Sequence, residues 1–332
     1  MKLILFLMIL AIMVMSCATA PATEPVAAES SPAQGSAPVQ STEPANPAQT
    51  PAQSPQPPAQ NPQPPAQSTQ QGNDGIYSYK VGQLEVYTLV ERENPGNAAI
   101  IPGASEAIKN QYIPASGFTH STNTFLVKNR GMNILIDTGF GGAVFEKMNK
   151  LGVMPSQIDA VLITHLHGDH IGGLQKEGKA LFPNAKVYLD SKEYDYFTRI
   201  APNQGAVDAL NAYGSNVVTF NALQPGPVYR EILPGIRAVA NYGHTPGHTA
   251  YIIESGRDKI IIAGDFLHVA LVQFPHPEIS ATYDMDQNAA AQSRRQILEY
   301  AVQAKAPIGG MHIVYPGIGR VEAEGSGFKF IP

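Results

Sequence analysis

Seven side chains of the kinds that hold metal ions occur in an order that two adjacent divalent cations could use completely. They are His165, His167, Asp169, His170, His248, Asp265 and His312. Imidazole and carboxylate ligands without a thiolate suit zinc, which we expect here, although manganese, iron and cobalt accept the same ligand types. The chemistry indicated is hydrolysis, because two cations about 3.5 to 4 Å apart lower the pKa of a shared water toward about 7 and polarise a carbonyl or phosphoryl oxygen.

The first four candidates stand in one short segment, where the apolar run Val161–Ile163 gives way to polar residues. A run of this kind indicates a buried strand, so these ligands lie where a strand passes into a loop. Side chains alternate along an extended chain, which points His165 and His167 the same way. Gly168 permits a turn that brings the next two residues toward a second centre. One segment can therefore serve two metals.

The three later candidates also lie near strand ends. His248 stands in a Thr-Pro-Gly turn ahead of the apolar run Ala250–Ile253, and Asp265 follows the run Lys259–Ala263. His312 follows a short apolar stretch that contains two glycines. Sites in α/β folds are commonly assembled at such strand ends from separate segments.

This order of ligands resembles the metallo-β-lactamase superfamily, whose H-x-H-x-D-H signature stands here as residues 165–170. The resemblance covers about residue 121 to the C-terminus. Within the superfamily, residues 245–249, 264–274 and 323–332 look like the methyl parathion hydrolase branch.

The resemblance implies a role for each candidate ligand. The implied ligand sets are His165, His167 and His248 for one metal, Asp169, His170 and His312 for the other, and Asp265 as the bridge between them. Hydroxide held between the two cations would attack the substrate, and Asp169 would orient it or relay its proton. Asp169 and Asp265 are therefore the candidate catalytic residues.

Asp137 ends another apolar strand, Ile134–Ile136, and the resemblance suggests that it orients a metal-bound histidine. Alternatively, its carboxylate accepts hydrogen bonds within its own turn, and both roles could hold together. His244 could support the site, or it could be a loop histidine satisfied by the backbone.

Five residues that flank the ligand segments or strand ends are candidates for the substrate pocket. They are Phe118, Phe140, Phe266, His268 and Phe274. For each aromatic residue the alternative is burial in the core, which is the commoner role.

Composition excludes several other functions. A net charge of -5 without a Lys/Arg cluster provides no surface for nucleic acid. The commonest β-lactamases have a cysteine where Asp265 stands, and the single cysteine of this chain is Cys17. This difference argues against antibiotic hydrolysis. Redox di-iron relatives have glutamate at the second histidine of the motif. This chain has His167 there, which argues against electron transfer. Small apolar esters, lactones and phosphotriesters remain as substrates. The alternatives are a glyoxalase-II-like thioesterase and a non-catalytic surface lipoprotein that binds a partner.

The N-terminus predicts export. Lys2 and the apolar run Leu3–Met15 indicate a secretory signal, and residues 14–17 resemble a bacterial lipobox. We therefore expect a signal peptide over residues 1–16 and a lipidated Cys17 that anchors the protein to a bacterial membrane, in the periplasm or at the cell surface. The alternative is an ordinary signal peptide cut near residue 18 or 20. From Cys17 to residue 74 the chain is rich in Pro, Ala and Gln and predicts a disordered linker.

Residues 75–332 predict one α/β hydrolase domain, since a division would separate ligand segments that must converge. The predicted strands are Leu84–Val90, Thr124–Val127, Asn133–Ile136, Ala160–Ile163, Lys186–Leu189, Gly235–Val239, Ala250–Ile253 and Lys259–Ile262. The predicted helices are Ala143–Leu151, Ser191–Ile200 and Asp286–Lys305. The resemblance implies an αβ/βα sandwich with the metal site at one edge of the two sheets, and it suggests a homodimer.

Overall fold

Two seven-stranded β-sheets form the inner layers of the part of the chain that the computed structural model describes, residues 74–226 and 230–332. In chain order the strands are β1 (Ile76–Val81), β2 (Leu84–Pro95), β3 (Thr119–Asn129), β4 (Met132–Ile136), β5 (Ala160–Leu162), β6 (Gln175–Lys176), β7 (Lys179–Ala180), β8 (Lys186–Asp190), β9 (Val217–Phe220), β10 (Arg230–Leu233), β11 (Ile236–Ala240), β12 (Thr249–Ser255), β13 (Asp258–Ile262), β14 (Ile308–Gly309), β15 (Ile318–Glu324) and β16 (Gly327–Ile331).

The first sheet has the order β1-β2-β3-β4-β5-β8-β9. Strands β1 to β4 form an antiparallel meander, and β4, β5, β8 and β9 run parallel. The second sheet follows chain order from β10 to β16 and is antiparallel apart from the parallel pair β13 and β14. Strands β6 and β7 form a separate two-stranded hairpin.

Helices connect the strands and cover the outer faces. They are α1 (Glu106–Tyr112), α2 (Ala143–Lys150), α3 (Gly168–Ile171), α4 (Ser191–Asp195), which continues as a π-helical turn (Tyr196–Ile200), α5 (Gln204–Asn211), α6 (Ala270–Gln273) and α7 (Gln287–Ala304). Short 3₁₀ turns occupy Ala98–Ile100, Pro155–Gln157 and Gly214–Asn216.

Alternation along the strands builds a layered core. Phe125 and Val127 of β3 pack with residues of the second sheet, such as Ile262, whereas Leu126 packs in the outer cluster with Met148 of α2. Successive strand residues point to opposite faces, so one apolar run can serve both layers. A third cluster packs α7 against the outer face of the second sheet. The αβ/βα sandwich that was expected is therefore confirmed.

Strand ends from both sheets meet at one edge of the sandwich. The backbone N–H of Thr249, at the start of β12, donates to the carbonyl of Thr164 just after β5 at 2.9 Å. The N–H of Asn123 in β3 donates to the carbonyl of Met311 after β14 at 2.8 Å. These links between the sheets lie beside the candidate ligands.

Each predicted strand and helix overlaps an observed one. Helix α7 begins after Asp286, whose carboxylate accepts from the Ala289 N–H at 3.0 Å, and it ends at Lys305 in the left-handed conformation. Elements that were not predicted include β1, β9, β10, the C-terminal hairpin of β15 and β16, and helices α1 and α5.

Several predictions concern parts of the chain outside the described residues. The signal segment 1–16, Cys17 and the linker up to residue 73 are among them, so the lipid anchor and the spacer stay predictions. Within residues 74–226 and 230–332, no helix combines the length and the apolar character needed to cross a membrane.

Candidate metal centre

Three histidines converge in a first group of candidate ligands. His165 and His167 come from the loop after β5, and His244 comes from the turn before β12. Nε2 of His165 lies 3.0 Å from Nδ1 of His167, and Nε2 of His244 lies 3.1 Å from each of these atoms. Nitrogens bound tetrahedrally to zinc at about 2.0 to 2.1 Å would be about 3.3 Å apart. The three nitrogens therefore have nearly the spacing of a zinc ligand set.

A second group contains two carboxylates and two histidines: Asp169, His170, Asp265 and His312. Nε2 of His312 lies 2.9 Å from Oδ2 of Asp265, and Nε2 of His170 lies 3.3 Å from Oδ1. Asp169 Oδ2 is 3.5 Å from Nε2 of His170. Carboxylate oxygens and imidazole nitrogens thus surround a second small volume.

Asp265 lies between the two groups. Its Oδ2 is 3.5 Å from Nε2 of His244 and 3.7 Å from Nε2 of His165, in addition to its contacts with His170 and His312. Its position just after β13 gives it access to ligands from both sheets. A carboxylate placed in this way can contact two adjacent cations with its two oxygens.

Buried polar atoms without partners indicate that the site is built for cations. Nε2 of His170 and Oδ1 of Asp265 are buried, and neither makes a hydrogen bond to any described residue. Buried polar groups in native proteins are usually satisfied, so orphaned atoms point to an ion or water. With Asp169 and Asp265 both at the site, divalent metal ions fit the donor set and its charge.

The protonation states of His165, His167 and Asp265 suit metal binding. Burial lowers the pKa of His165 well below its usual value, and it lowers the pKa of His167 to about 4. Burial alone would raise the pKa of Asp265, but the charges of His170 and His312 hold it well below the usual range. Neutral imidazoles and an ionised carboxylate are the forms that coordinate metals.

Hydrogen bonds fix the orientation of the second-group histidines. Nδ1 of His170 donates to Oδ2 of Asp137 at 2.7 Å, and Nδ1 of His312 donates to the carbonyl of Ser121 at 2.8 Å. Asp137 also accepts from the backbone N–H and the hydroxyl of Thr164 at 2.7 and 2.6 Å. Asp137 thus contacts a candidate ligand in the way expected of an orienting partner, and those partners set tautomer and ring direction.

His244 has a similar partner in Asp284. Its Nδ1 lies 3.0 Å from Oδ1 of Asp284, and Oδ2 of the same carboxylate accepts from Arg294 of α7 at 3.2 Å. With Nδ1 engaged as a donor, Nε2 of His244 carries the lone pair that faces His165 and His167.

The structure places His248 differently from the sequence prediction. Its Nδ1 donates to the carbonyl of Asn241 at 2.8 Å, and its Nε2 accepts from the backbone N–H of Asp265 at 2.9 Å. A Cβ on Gly264 would lie 2.4 Å from Nε2 of His248, so the ring packs directly on this backbone. Both ring nitrogens are therefore occupied, and His244 replaces His248 in the first ligand group.

A cavity of about 550 Å³ adjoins the second group, because His268 and His312 are part of its lining. Its other lining residues are mostly apolar and include Tyr112, Phe118, Leu271, Phe274, Ile313, Phe328 and Phe330. This volume is in the range of small-molecule sites.

The cavity includes three of the five predicted pocket residues. Phe118, His268 and Phe274 line it. Phe266 is buried in the cluster under α7, where apolar packing rather than ligand contact determines its position. Phe140 is 42 % exposed and stacks against the guanidinium of Arg92 at 4.2 Å, away from the cavity lining. Neither Phe140 nor Phe266 is among the residues that line this cavity.

His312 is stacked between two further histidines. Its ring centroid lies 4.3 Å from that of His120 and 4.8 Å from that of His268. Nε2 of His268 is 3.4 Å from Oδ2 of Asp265, and its buried Nδ1 makes no hydrogen bond within the described residues. His268 therefore lies at the junction of the ligand groups and the cavity.

No pattern in the sequence marks Asp284 or Arg294 as part of the site. Asp284 lies in an irregular stretch 40 residues after His244, and no motif links the two. The pair His244 and His248 in one turn was a visible signal, but spacing alone could not show which histidine faces the ligands.

Solved structures resemble this fold over most of its length. A dizinc quorum-quenching lactonase, AidC, in complex with its product N-hexanoyl-L-homoserine, is 25 % identical and has a TM-score of 0.69, with coverage of 78 % of this chain and 97 % of AidC. The hydrolase AbOPH of the beta-lactamase superfamily is 27 % identical, with the same TM-score of 0.69 and coverage of 78 % and 97 %.

Curated relatives match over shorter segments. The anti-Pycsar protein Apyc1 of Saccharibacillus brassicae is 41 % identical over 56 residues, which are 17 % of this chain and 22 % of that protein. The chain spans between 21 % and 60 % of the length of the first curated relatives that it matches. Residues 117–308, more than half of the chain, match the sequence profile of the Metallo-beta-lactamase superfamily. Together with the sandwich fold, this match shows that the chain belongs to the metallo-β-lactamase superfamily.

Proposed function

We propose that this protein is a dinuclear metal-dependent hydrolase that cleaves small apolar esters, lactones or phosphotriesters. The observation that carries the proposal is the juxtaposition of two ligand groups that share Asp265 with an apolar cavity lined by His268 and His312. The proposed ligand sets are His165, His167 and His244 for one metal and Asp169, His170 and His312 for the other, with Asp265 in contact with both. Zinc is the metal we expect, in view of the nitrogen and oxygen donors.

When bound, two metal ions supply an activated water and polarise the carbonyl or phosphoryl oxygen of the substrate. The protein's own residues hold, orient and shield these reactants. Asp169 has the most exposed carboxylate of the second group, with 25 % of its side chain accessible, whereas the Asp265 side chain is 3 % accessible. We propose that Asp169 accepts a proton from the attacking water and returns it to the leaving group, and its greater exposure supports this role.

The cavity supports apolar substrates. Phe118, Leu271 and Phe274 would hold the acyl or aryl part of the substrate and exclude water from the reacting bond. The lactonase AidC, whose structure contains N-hexanoyl-L-homoserine, has a similar fold, and this likeness supports lactones within the proposed class.

Metal analysis combined with hydrolysis assays tests the proposal. The protein, its chelated form and the reconstituted form would be assayed on p-nitrophenyl acetate, an acyl lactone and paraoxon. We expect about two divalent ions per chain and turnover that is lost with the chelator and restored by metal. Two bound ions without turnover of any substrate would overturn the hydrolase and favour a binding protein. The ratio of kcat/KM for the lactone and the phosphotriester then identifies the preferred class.

We also propose that the protein is exported and anchored to a bacterial membrane through a lipid on Cys17. The apolar run Leu3–Met15 and the lipobox-like residues 14–17 support this proposal. A Cys17→Ser variant should no longer incorporate radiolabelled palmitate, because the thiol that would carry the lipid is gone. Incorporation of the label by the variant would contradict lipid anchoring at this residue.

A further inference from the structure

Glu193 of α4 is a buried carboxylate that contacts two ligand-bearing loops at once. Its Oε1 accepts the backbone N–H of Leu166, the residue between His165 and His167, at 2.8 Å. Its Oε2 accepts the hydroxyl of Thr245 at 2.7 Å and the backbone N–H of Gly247 at 2.9 Å. Thr245 directly follows His244. One side chain thus ties together the two loops that supply the first ligand group.

The turn at residues 244–248 packs directly on α4. A Cβ added to Gly247 would lie 2.2 Å from the backbone nitrogen of Glu193, so only glycine permits this approach. The three hydrogen bonds of Glu193 therefore act across a close contact between a helix and a loop, and they leave little freedom for the loop to move separately.

Burial of the Glu193 carboxylate costs desolvation free energy. Burial raises the pKa of Glu193 to about 7, and its three hydrogen bonds offset this effect only in part. A neutral side chain could link two loops with less desolvation. A carboxylate differs from an amide because both of its oxygens accept, which is what two backbone N–H groups from different loops require.

We infer that Glu193 is a positioning residue, which holds the loops of residues 165–167 and 244–247 so that the ring nitrogens of His165, His167 and His244 converge. This inference deepens the proposed function, since it rests on the same metal centre. Glu193 contacts the backbone and a hydroxyl rather than the ligand rings. Its effect therefore reaches the metal through the position of the loops.

Glu193→Gln tests the inference because it replaces one accepting oxygen with an NH₂ group that faces an N–H donor. Metal affinity would be measured by competition with a chromophoric chelator, and hydrogen exchange would be measured on metal-free protein. We expect affinity at the first site to fall about 10- to 100-fold, the range for partners that orient ligands. We also expect faster exchange in peptides covering residues 164–170 and 243–248, with exchange elsewhere unchanged.

Glu91→Gln is the matched control. The two carboxylate oxygens of Glu91 also accept from two backbone N–H groups, those of Gly142 and Val144, at 2.6 Å each. These bonds hold the N-terminus of α2 and do not reach residues 165–167 or 241–248. We expect this variant to lose thermal stability and to retain wild-type metal affinity at the first site and wild-type loop exchange.

Thr245→Val provides a milder test if Glu193→Gln does not fold. It removes one of the three donors to Glu193, and we expect a roughly 10-fold loss of metal affinity, the lower end of the range for outer contacts to a metal site. Wild-type affinity and loop exchange in a folded Glu193→Gln variant, or equal losses in Glu91→Gln, would overturn the inference. Loop exchange is measured without metal or substrate, so a failure of the proposed hydrolase activity leaves this readout intact.

Discussion

The carboxylate of Asp284 joins His244 to the guanidinium of Arg294. Oδ1 lies 3.0 Å from Nδ1 of His244, and Oδ2 lies 3.2 Å from Nη2 of Arg294. Arg294 is fully buried in α7, and its Nη1 also donates to the carbonyls of Pro277 and Ile279 at 2.7 and 2.9 Å. The orientation of a candidate metal ligand thus depends on a buried ion pair formed by a helix of the outer layer.

Asp284→Asn should weaken both stability and metal binding. Loss of the anion leaves the Arg294 charge buried without its partner, which costs about 3 to 5 kcal/mol in free energy of unfolding. Loss of the acceptor for Nδ1 of His244 should lower metal affinity about 10- to 100-fold. The double variant Asp284→Asn/Arg294→Met should recover only part of the stability, because the carbonyls of Pro277 and Ile279 lose their donor, and it should not recover metal affinity. Wild-type affinity in the single variant, measured by chelator competition, would contradict the orienting role.

The two histidines of the turn before β12 should respond differently to substitution. His244→Ala removes a member of the first ligand group, so bound metal should fall from about two ions to about one per chain. His248→Gln disturbs only hydrogen bonds to Asn241 and Asp265 backbone atoms. It should lower the Tm while two ions remain bound. Metal content by mass spectrometry and thermal unfolding distinguish the two, and the opposite pattern would restore His248 as a ligand.

The sequence predicted those parts of the fold and site that are specified locally. Buried strands such as β4 and β13 are short apolar runs, and His165 to His170 form one continuous motif, so both could be found by inspection. The C-terminal hairpin of β15 and β16 was missed because glycines and exposed charged residues interrupt its buried ones, so no long apolar run marks either strand.

Other features depend on tertiary structure. His244 and His248 are four residues apart in one turn, and only the close packing of His248 on Gly264 shows which ring turns away from the ligands. Asp284 lies in the loop before α7 and Glu193 lies in α4. They are 40 and 54 residues from His244 and Gly247, which they contact, and no sequence motif links residues so far apart. Phe266 and Phe274 are eight residues apart on one segment, yet only Phe274 lines the cavity.

Asp265→Ala should abolish catalysis more completely than any other single change at the site. Asp265 is the residue that contacts both ligand groups, with oxygens 2.9 Å from His312 and 3.5 Å from His244. We expect under about 1 % of wild-type kcat, on the scale of lost metal catalysis. Metal content must be measured on the same sample, because near-normal turnover in a fully metallated variant would refute the bridging role.

Removal of metal should destabilise the protein. Nε2 of His170 and Oδ1 of Asp265 are buried without a hydrogen bond to another described residue, and bound ions would give both atoms partners. An ion at 100 times its Kd adds about 2.7 kcal/mol to the free energy of unfolding. For a domain of this size, that change corresponds to a rise in Tm of roughly 5 to 10 °C. Scanning calorimetry with chelator and with zinc measures the difference, and equal Tm values would argue against a metal centre in the native protein.

The apolar cavity should determine the preference for substrate length. Leu271 lines it and is 43 % exposed, so Leu271→Ala should leave the fold intact while removing apolar contact with a long acyl chain. At about 0.8 kcal/mol for each buried methylene, kcat/KM for p-nitrophenyl octanoate should fall roughly 5- to 10-fold. The kcat/KM for p-nitrophenyl acetate, whose acyl group is too short to contact Leu271, should stay near that of the wild type.

Ile200→Ala is the control, because Ile200 is 72 % exposed and is not part of the lining. An equal loss of kcat/KM on both esters would contradict the prediction. A residue that contacts only the distal part of a long acyl chain cannot affect the hydrolysis of an acetate ester.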